Sequence, residues 1–274
     1  MGLVLALTEI AYAKINLALH IRQRREDGYH DLETLFAFVD VGDTLIARIA
    51  DQDRLTTVGE FAGGIGKPFD NLVSKALSAL PRPQGLDITL EKNLPVAAGL
   101  GGGSADAGAL FRIVERTHGL PDDWHKRATE LGADVPSCVR SEMAIGRGTG
   151  TELELVENDL AGCPVLLVNP CVPLSTGAVF EAWNRIDHGP LPKGSARTIA
   201  LEGRNDLNTP AFALCPIITE VLDALQETEA WIARMSGSGA TCFALFATEV
   251  ERDRASASIK ASHPDWWQLP GKLR

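Results

Sequence analysis

Positive charge is in short supply along this 274-residue chain, where 26 Lys and Arg stand against 36 Asp and Glu for a formal net charge of -10. That balance argues against nucleic acid or an anionic membrane as a general partner, so a polyanion would have to be held at a local site. Cysteine is scarce and scattered. Cys138, Cys163, Cys171, Cys215 and Cys242 are odd in number and never spaced C-x-x-C, which argues against a disulfide framework or a zinc site and fits reduced thiols in a cytosol. No stretch approaches the ~18 apolar residues of a membrane span. The opening Met1 to Leu7 is apolar and Ala11-Tyr12-Ala13 could mimic a cleavage site, but no basic segment leads it and Glu9 interrupts it, so it reads as the lead-in to a strand. Internal repeats and low-complexity tracts are missing too. The length allows roughly two domains, each with its own core.

Lysine is also missing between Asn93 and Phe111, which excludes the Gly-Lys-Ser/Thr of a P-loop. The dinucleotide fingerprint fails as well, because Ser104 and Asp106 fall where its third glycine or alanine belongs. What stands there is Pro95-Val-Ala-Ala-Gly-Leu-Gly-Gly-Gly-Ser-Ala-Asp-Ala-Gly-Ala109. Gly99, Gly101, Gly102 and Gly103 can leave backbone N–H groups uncovered. Ser104 then reads as an N-cap and Ala105 to Thr117 as a helix with Leu110, Ile113 and Val114 on its buried stripe. A concave run of N–H groups opening into a helix N-terminus suits an anion, here a polyphosphate. The plain alternative is a glycine-rich surface loop.

Taken in order, Ile10 to Arg22 alternates, with Ala11, Ala13, Ile15, Leu17, Leu19 and Ile21 on one face and Tyr12, Lys14, Asn16, Ala18 and His20 on the other. Period two predicts a strand with one face on a core, leaving Lys14 and Asn16 on the polar face, where a Lys is ordinarily solvated. Arg22 to Asp31 reads as a polar hairpin connection around Asp27-Gly28, with Tyr29 and His30 able to pack at its base. Leu35 to Asp40 and Thr44 to Ala50 read as two strands joined by Val41-Gly-Asp43. Asp70-Asn71-Leu72 opens a helix to Leu80, Leu86 to Glu91 is a strand, and Pro121 opens a short helix through Leu131 with Gly132 as its C′ residue. Asp134 sits as an N-cap before a helix with Pro136 in its first turn. Met143 to Gly150 and Thr151 to Val156 give two more strands around a glycine turn.

The character changes near Asn158 to Cys163, where a domain boundary is expected. Beyond it come a strand at Pro164 to Val168, a helix from Ser175-Thr176 through Ile186, and a loop at Asp187 to Ser195. Helices follow at Pro210 to Leu214 and Pro216 to Glu227, then a hairpin around Ser236-Gly-Ser-Gly-Ala240 and a helix from Glu249 to Ala261. This half is compatible with a ferredoxin-like α+β sandwich.

Five stretches together carry a resemblance. Pro95-x-x-x-Gly-Leu-Gly-Gly-Gly-Ser-x-Asp-Ala resembles the phosphate loop of the GHMP kinase superfamily. Ala11-Tyr-Ala-Lys14-Ile-Asn16-Leu resembles that family's opening, with Tyr12 in place of the usual Pro, and Met235-Ser-Gly-x-Gly-Ala240 resembles its third motif. Arg25-x-Asp27-Gly28-Tyr29-His30-x-Leu32-x-Thr34 and Gly132-Ala-Asp134-Val-Pro136 are similar to the branch that phosphorylates 4-diphosphocytidyl-2-C-methyl-D-erythritol in non-mevalonate isoprenoid synthesis. The resemblance implies an α+β, two-domain fold: an N-terminal left-handed βαβ domain over 1–158 and a C-terminal ferredoxin-like domain over 159–274.

It further implies an ATP-dependent kinase acting on the substrate's 2-hydroxyl, with Mg²⁺ bridging the phosphates. Lys14 and Asp134 would be catalytic: Asp134 as base, and Lys14 keeping it ionised and stabilising the transferring phosphoryl. Pro95, Val96, Ala97, Ala98, Gly99, Leu100, Gly101, Gly102, Gly103, Ser104 and Ala105 would hold ATP. Asn16, Tyr29 and His30 would hold the substrate, with Phe180 a candidate for stacking on cytosine. Partners would be small molecules, not nucleic acid or membrane, and the enzyme a cytoplasmic monomer or weak homodimer. Three rivals stand beside this reading: another superfamily kinase (mevalonate or homoserine), which would have no use for Asp27-Gly-Tyr-His30; a silent sensing relative, which predicts erosion of Lys14 or Asp134; and a ligand-free glycine-rich domain.

Overall fold

The computed structural model describes residues 6–64 and 71–274. The apolar opening before Ala6, and Asp70 ahead of the Asn71 cap, lie outside the described residues. The chain divides into two compact units: one built from the segment ending at Ala13, Val41–Val96 and Gly101–Ser141, the other from Lys14–Asp40, Ala97–Leu100 and Glu142–Arg274. Two long strands, β1 (Leu7–Arg24) and β2 (His30–Ala50), run from one into the other.

In the first unit the second half of β2 pairs antiparallel with β4 (Gly85–Glu91), from Thr44 opposite Glu91 to Ala50 opposite Gly85. Parallel to β4 lies β3 (Arg54–Val58), and α1 (Leu72–Ala79) lies between them in the chain, capped by Asn71, whose side chain accepts from the Val73 amide. The loop helix α2 (Gly102–His118) buries Ala105 through Phe111 as well as Ile113 and Val114, so it is covered almost all round. Its small residues permit close approach: a Cβ on Gly108 would stand 2.5 Å from the Cys138 carbonyl of α4 (Val135–Arg140). Between them in the chain is α3 (Trp124–Leu131).

In the second unit the first half of β2 pairs antiparallel with β5 (Ala144–Arg147), and β5 with β6 (Glu152–Leu155). A separate antiparallel sheet runs in the order β10 (Trp267–Lys272), β7 (Pro164–Asn169), β9 (Cys242–Leu245), β8 (Ile232–Met235). The helices α8 (Ile217–Gln226) and α9 (Glu249–Ser262) pack on it, α8 against β8 and β9, α9 against β7 and β10. Three short helices, α5 (Thr176–Glu181), α6 (Ala196–Glu202) and α7 (Asn208–Leu214), complete the unit. All five cysteines are free thiols.

Several expectations are corrected. No turn breaks the strand at Val41-Gly-Asp43: β2 is continuous over 21 residues. Gly42 is there because a Cβ would lie 1.9 Å from the Ala11 carbonyl oxygen. Nor is the polar face of β1 solvated, for Lys14, Asn16 and His20 are all buried. Ser104 does not cap α2, which begins two residues earlier behind Gly101 at φ 60°. The helix expected through Ile186 ends at Glu181, and Gly132 is extended rather than left-handed at φ 165°.

Candidate active site

The glycine loop is held by its backbone. Lys14 donates its amide to the Leu100 carbonyl at 3.0 Å, Thr241 donates to Ala98 at 3.1 Å, and the Ser236 hydroxyl donates to the Gly99 carbonyl at 2.8 Å. Gly99 sits at φ 76° with the Ser236 carbonyl oxygen 2.5 Å from where a Cβ would be, so only glycine fits. Pro95, Val96 and Ala97 lead in, with Val96 exposed and Ala97 at φ 55°, while Ala98 and Leu100 are buried. With Gly101 as N-cap, no side chain caps α2. The first-turn amides of Gly102, Gly103 and Ser104 have no intrahelical acceptor by helix geometry, and the macrodipole adds to them. Such an N-terminus suits an anion.

Lys14 is 4% exposed, and a buried ammonium must be partnered. It donates to Asn16 Oδ1 at 3.1 Å and lies 5.1 Å from the centroid of the Phe36 ring. Asn16 in turn donates through Nδ2 to Thr34 Oγ1 at 2.7 Å, and through its amide to Ser236 Oγ at 3.2 Å. Thr34 donates its hydroxyl to the Ala18 carbonyl at 2.7 Å. One chain of bonds thus joins Lys14, Asn16, Ser236 and Gly99, tying the first and third sequence motifs to the loop. Thr34 and Ser236 lay inside quoted motifs without an assigned role, and Phe36 carried no signal at all. The turn bearing Ser236 is itself held by Asn205, whose Nδ2 donates to the Met235 and Gly237 carbonyls at 2.9 and 2.8 Å.

His30, at the start of β2, meets Phe180 of α5 with ring centroids 5.2 Å apart and Trp183 just beyond α5 at 5.7 Å. Burial, with the charge of Arg24 adding to it, holds the imidazole below its ordinary range. The structure therefore brings His30 and Phe180 together, whereas the Tyr29 side chain stands 62% exposed. Tyr29 is set by the turn, its amide donating to Asp27 Oδ1 at 3.0 Å.

Asp134 belongs to the first unit, Lys14, Asn16, His30 and Phe180 to the second. It occupies the N-cap position of α4 in a helical conformation (φ -83°, ψ -13°) with no side-chain capping bond, so the capping role expected from the sequence is not the one it plays. Its carbonyl accepts from Ser137 Oγ at 2.8 Å and from the Cys138 amide at 3.1 Å. At the other end of α4, Arg112 of α2 donates to the Cys138 carbonyl at 2.6 Å and to Ser141 Oγ at 2.9 Å, and reaches Ile10 of β1 at 2.7 Å. It satisfies carbonyls that a helix C-terminus leaves without partners. Sequence reasoning missed this residue.

Two family descriptions match the chain: the GHMP kinases N terminal domain over residues 71–142 and the GHMP kinases C terminal over 192–265. A 4-diphosphocytidyl-2-C-methyl-D-erythritol kinase of Erythrobacter litoralis is 65% identical over 272 residues, covering 98% of this chain and 100% of that protein. The chain belongs to the GHMP kinase family. A kinase of the same name from Novosphingobium aromaticivorans is 62% identical, covering 100% of this chain and 95% of its own. A crystal structure of 4-(cytidine 5'-diphospho)-2C-methyl-D-erythritol kinase matches with a TM-score of 0.81 at 32% identity, covering 97% of this chain and 99% of that one. A homoserine kinase from Cytophaga hutchinsonii, at 19% identity and a TM-score of 0.72, shares the fold alone. The architecture is the two-domain α+β fold of the GHMP kinases.

One further cluster of this GHMP kinase lies beneath the start of α2. Lys92 donates to Asp43 and, at 2.8 Å, to Asp106 Oδ2. Asp43 Oδ1 also accepts the amides of Asn93 and Leu94 at 2.5 and 2.8 Å. Burial pushes the Asp106 carboxyl up to about 8, with Asp43 adding to the rise and Lys92 opposing it. For Lys92, burial pulls down but Asp106 and Asp43 outweigh it, and the ammonium is raised. A proton on Asp106 leaves one buried cation with one buried anion. Since the folded pKa is above the unfolded one, this contribution to stability is full below about pH 4 and is lost as pH rises toward 8. Asp106→Asn should flatten that loss, read as melting temperature at about pH 5 and about pH 9. Asp43→Asn should lower the melting temperature at both, because three donors lose their charged acceptor.

Proposed function

We propose that this kinase transfers the γ-phosphoryl group of ATP to the 2-hydroxyl of 4-diphosphocytidyl-2-C-methyl-D-erythritol, yielding ADP and the 2-phosphate in the non-mevalonate route to isoprenoid precursors. End-to-end identity of 65% and 62% to kinases of that name carries the substrate assignment. The geometry supports it: phosphoryl transfer asks for positioning and charge stabilisation more than for covalent chemistry. The α2 amides behind Gly101 would hold the ATP phosphates. Lys14, fixed by Asn16, is the cation for the transferring phosphoryl, and Asp134 accepts the hydroxyl proton. Both residues are present, which disfavours a silent relative. Among the described residues no group of three or more His, Cys, Asp or Glu could hold a metal. Mg²⁺ would be carried in on the phosphate oxygens, where it would offset charge between them.

The partners are small molecules, and no described helix is long and apolar enough to cross a membrane. We further propose a cytoplasmic monomer or weak homodimer with its domain boundary at 158/159, which falls between the two family matches. The decisive assay follows ADP release with ATP and the cytidylylated methylerythritol. Mevalonate and homoserine serve as competing alcohols, and faster turnover of either would overturn the assignment. Within this reading Tyr29 and His30 choose the substrate. A stacked base is worth roughly 1–3 kcal/mol by truncation, so Tyr29→Ala and His30→Ala should each lower kcat/KM for that substrate about ten- to hundredfold. The KM for ATP should barely move. A folded double variant with unchanged kcat/KM would remove both residues from the binding site.

A further inference from the structure

Trp183 belongs to the core of the second unit, with Leu174, Val179 and Leu207, and it also reaches His30. It is 6% exposed, and its indole Nε1 is buried without a hydrogen-bond partner. Buried indoles ordinarily find an acceptor, and leaving the donor unmet is a cost that a leucine or phenylalanine filling the same space would not carry. The ring also makes an aromatic contact with His30. Its plane stands at 81° to the imidazole of His30, an edge-on aromatic contact, while Phe180 meets the same imidazole at 43°. The two rings come from one turn of chain, since the Trp183 amide donates to the Phe180 carbonyl at 3.3 Å. That turn is anchored upstream by Ser175, which caps α5 by accepting from the Ala178 amide.

An imidazole has two side-chain torsions, and two ring contacts at different inclinations restrain both. We propose that Trp183 is a positioning residue for recognition of the pyrimidine: together with Phe180 it holds the His30 ring at one angle, so that one ring nitrogen, in one defined tautomer, faces the cytosine edge. This rests on the reading of His30 as a substrate contact. The environment favours the neutral ring such recognition needs. Phe180 and Trp183 bring no charge, and Arg24 of β1 adds to burial in disfavouring the imidazolium.

Two variants and one spectroscopic measurement test it. Trp183→Leu keeps apolar volume but removes the ring edge; Trp183→Phe keeps an edge and removes only the unmet N–H. Trp183→Leu should raise the KM for the cytidylylated substrate about tenfold, with kcat and the KM for ATP within about twofold, and Trp183→Phe should recover most of the loss. A wild-type KM in Trp183→Leu overturns the proposal. So does an equal loss of both substrates that Trp183→Phe does not repair, which would make Trp183 core filling. If Trp183→Leu fails to fold, the wild-type enzyme decides. Its Trp183 indole N–H resonance, assigned by its disappearance in Trp183→Phe, should shift with the His30 imidazole signals on titration with cytidine diphosphate. Movement of His30 alone overturns the positioning role, whereas a response from neither overturns the substrate reading with it.

Discussion

Asp134→Asn should lower kcat by about 10²–10⁴ while the protein stays folded. The asparagine keeps the size and one acceptor oxygen of the aspartate but cannot accept a proton. Had Asp134 capped α4 through its side chain, a stability loss would accompany the catalytic one and blur its meaning. The side chain makes no capping bond, and the Asp134 carbonyl accepts from Ser137 Oγ and the Cys138 amide. These survive the substitution. Arg112 holds the other end of α4 independently. Turnover measured as ADP release, alongside a thermal melt, separates the outcomes. A kcat within a few-fold of wild type at unchanged melting temperature would leave Asp134 an orienting group, as a loose transition state allows.

Much of this was legible in the sequence, for reasons that also explain what was not. Period two in Ile10 to Arg22 is local and strong, so β1 was readable. Which of its faces met solvent was not readable, because the elements that cover Lys14 and Asn16 lie far along the chain: Asn16 bonds to Ser236, 220 residues away. A glycine signals a turn, a close approach or a helix start alike. At Gly42 it meant the approach of Ala11, and at Gly101 it started α2 ahead of a serine that looked like the better cap. Among the described residues β3, the short 3-10 turn Ala62–Gly64, α6 and β10 were missed. The last contains Pro270 and Gly271, which read as breakers yet are tolerated where the strand lies at a sheet edge, as β10 does. Motifs could propose Lys14, Asp134, His30 and the loop because each lies in a short contiguous string. Phe36, Arg112, Trp183 and the Asp43–Lys92–Asp106 cluster are assembled only by folding, and no string announces them.

Gly99→Ala should lower kcat/KM by about 10² or more and also lower the melting temperature, whereas Gly102→Ala should leave the fold intact. The four glycines of the loop look equivalent in sequence and are not so in space. Gly99 combines φ 76° with a Cβ position 2.5 Å from the Ser236 carbonyl oxygen and 2.8 Å from that of Gly239, so a methyl must push two backbone segments apart. The displacement cannot stay local. The Ser236 hydroxyl donates to the Gly99 carbonyl and accepts from the Asn16 amide, and Asn16 accepts from Lys14. A shift on the order of 1 Å in such a chain is enough to cost about 10² in rate. At Gly102 the nearest atoms to an added Cβ are Lys92 Nζ at 3.6 Å and Asp43 Oδ2 at 3.8 Å, which are ordinary contacts. Any loss there should appear as a raised KM for ATP at unchanged melting temperature. Steady-state kinetics in both substrates, with thermal melts of both variants, tell the two apart. A Gly99→Ala enzyme of wild-type activity, or a Gly102→Ala enzyme less stable than Gly99→Ala, would mean that the link from the loop through Ser236 to Lys14 does not govern the site.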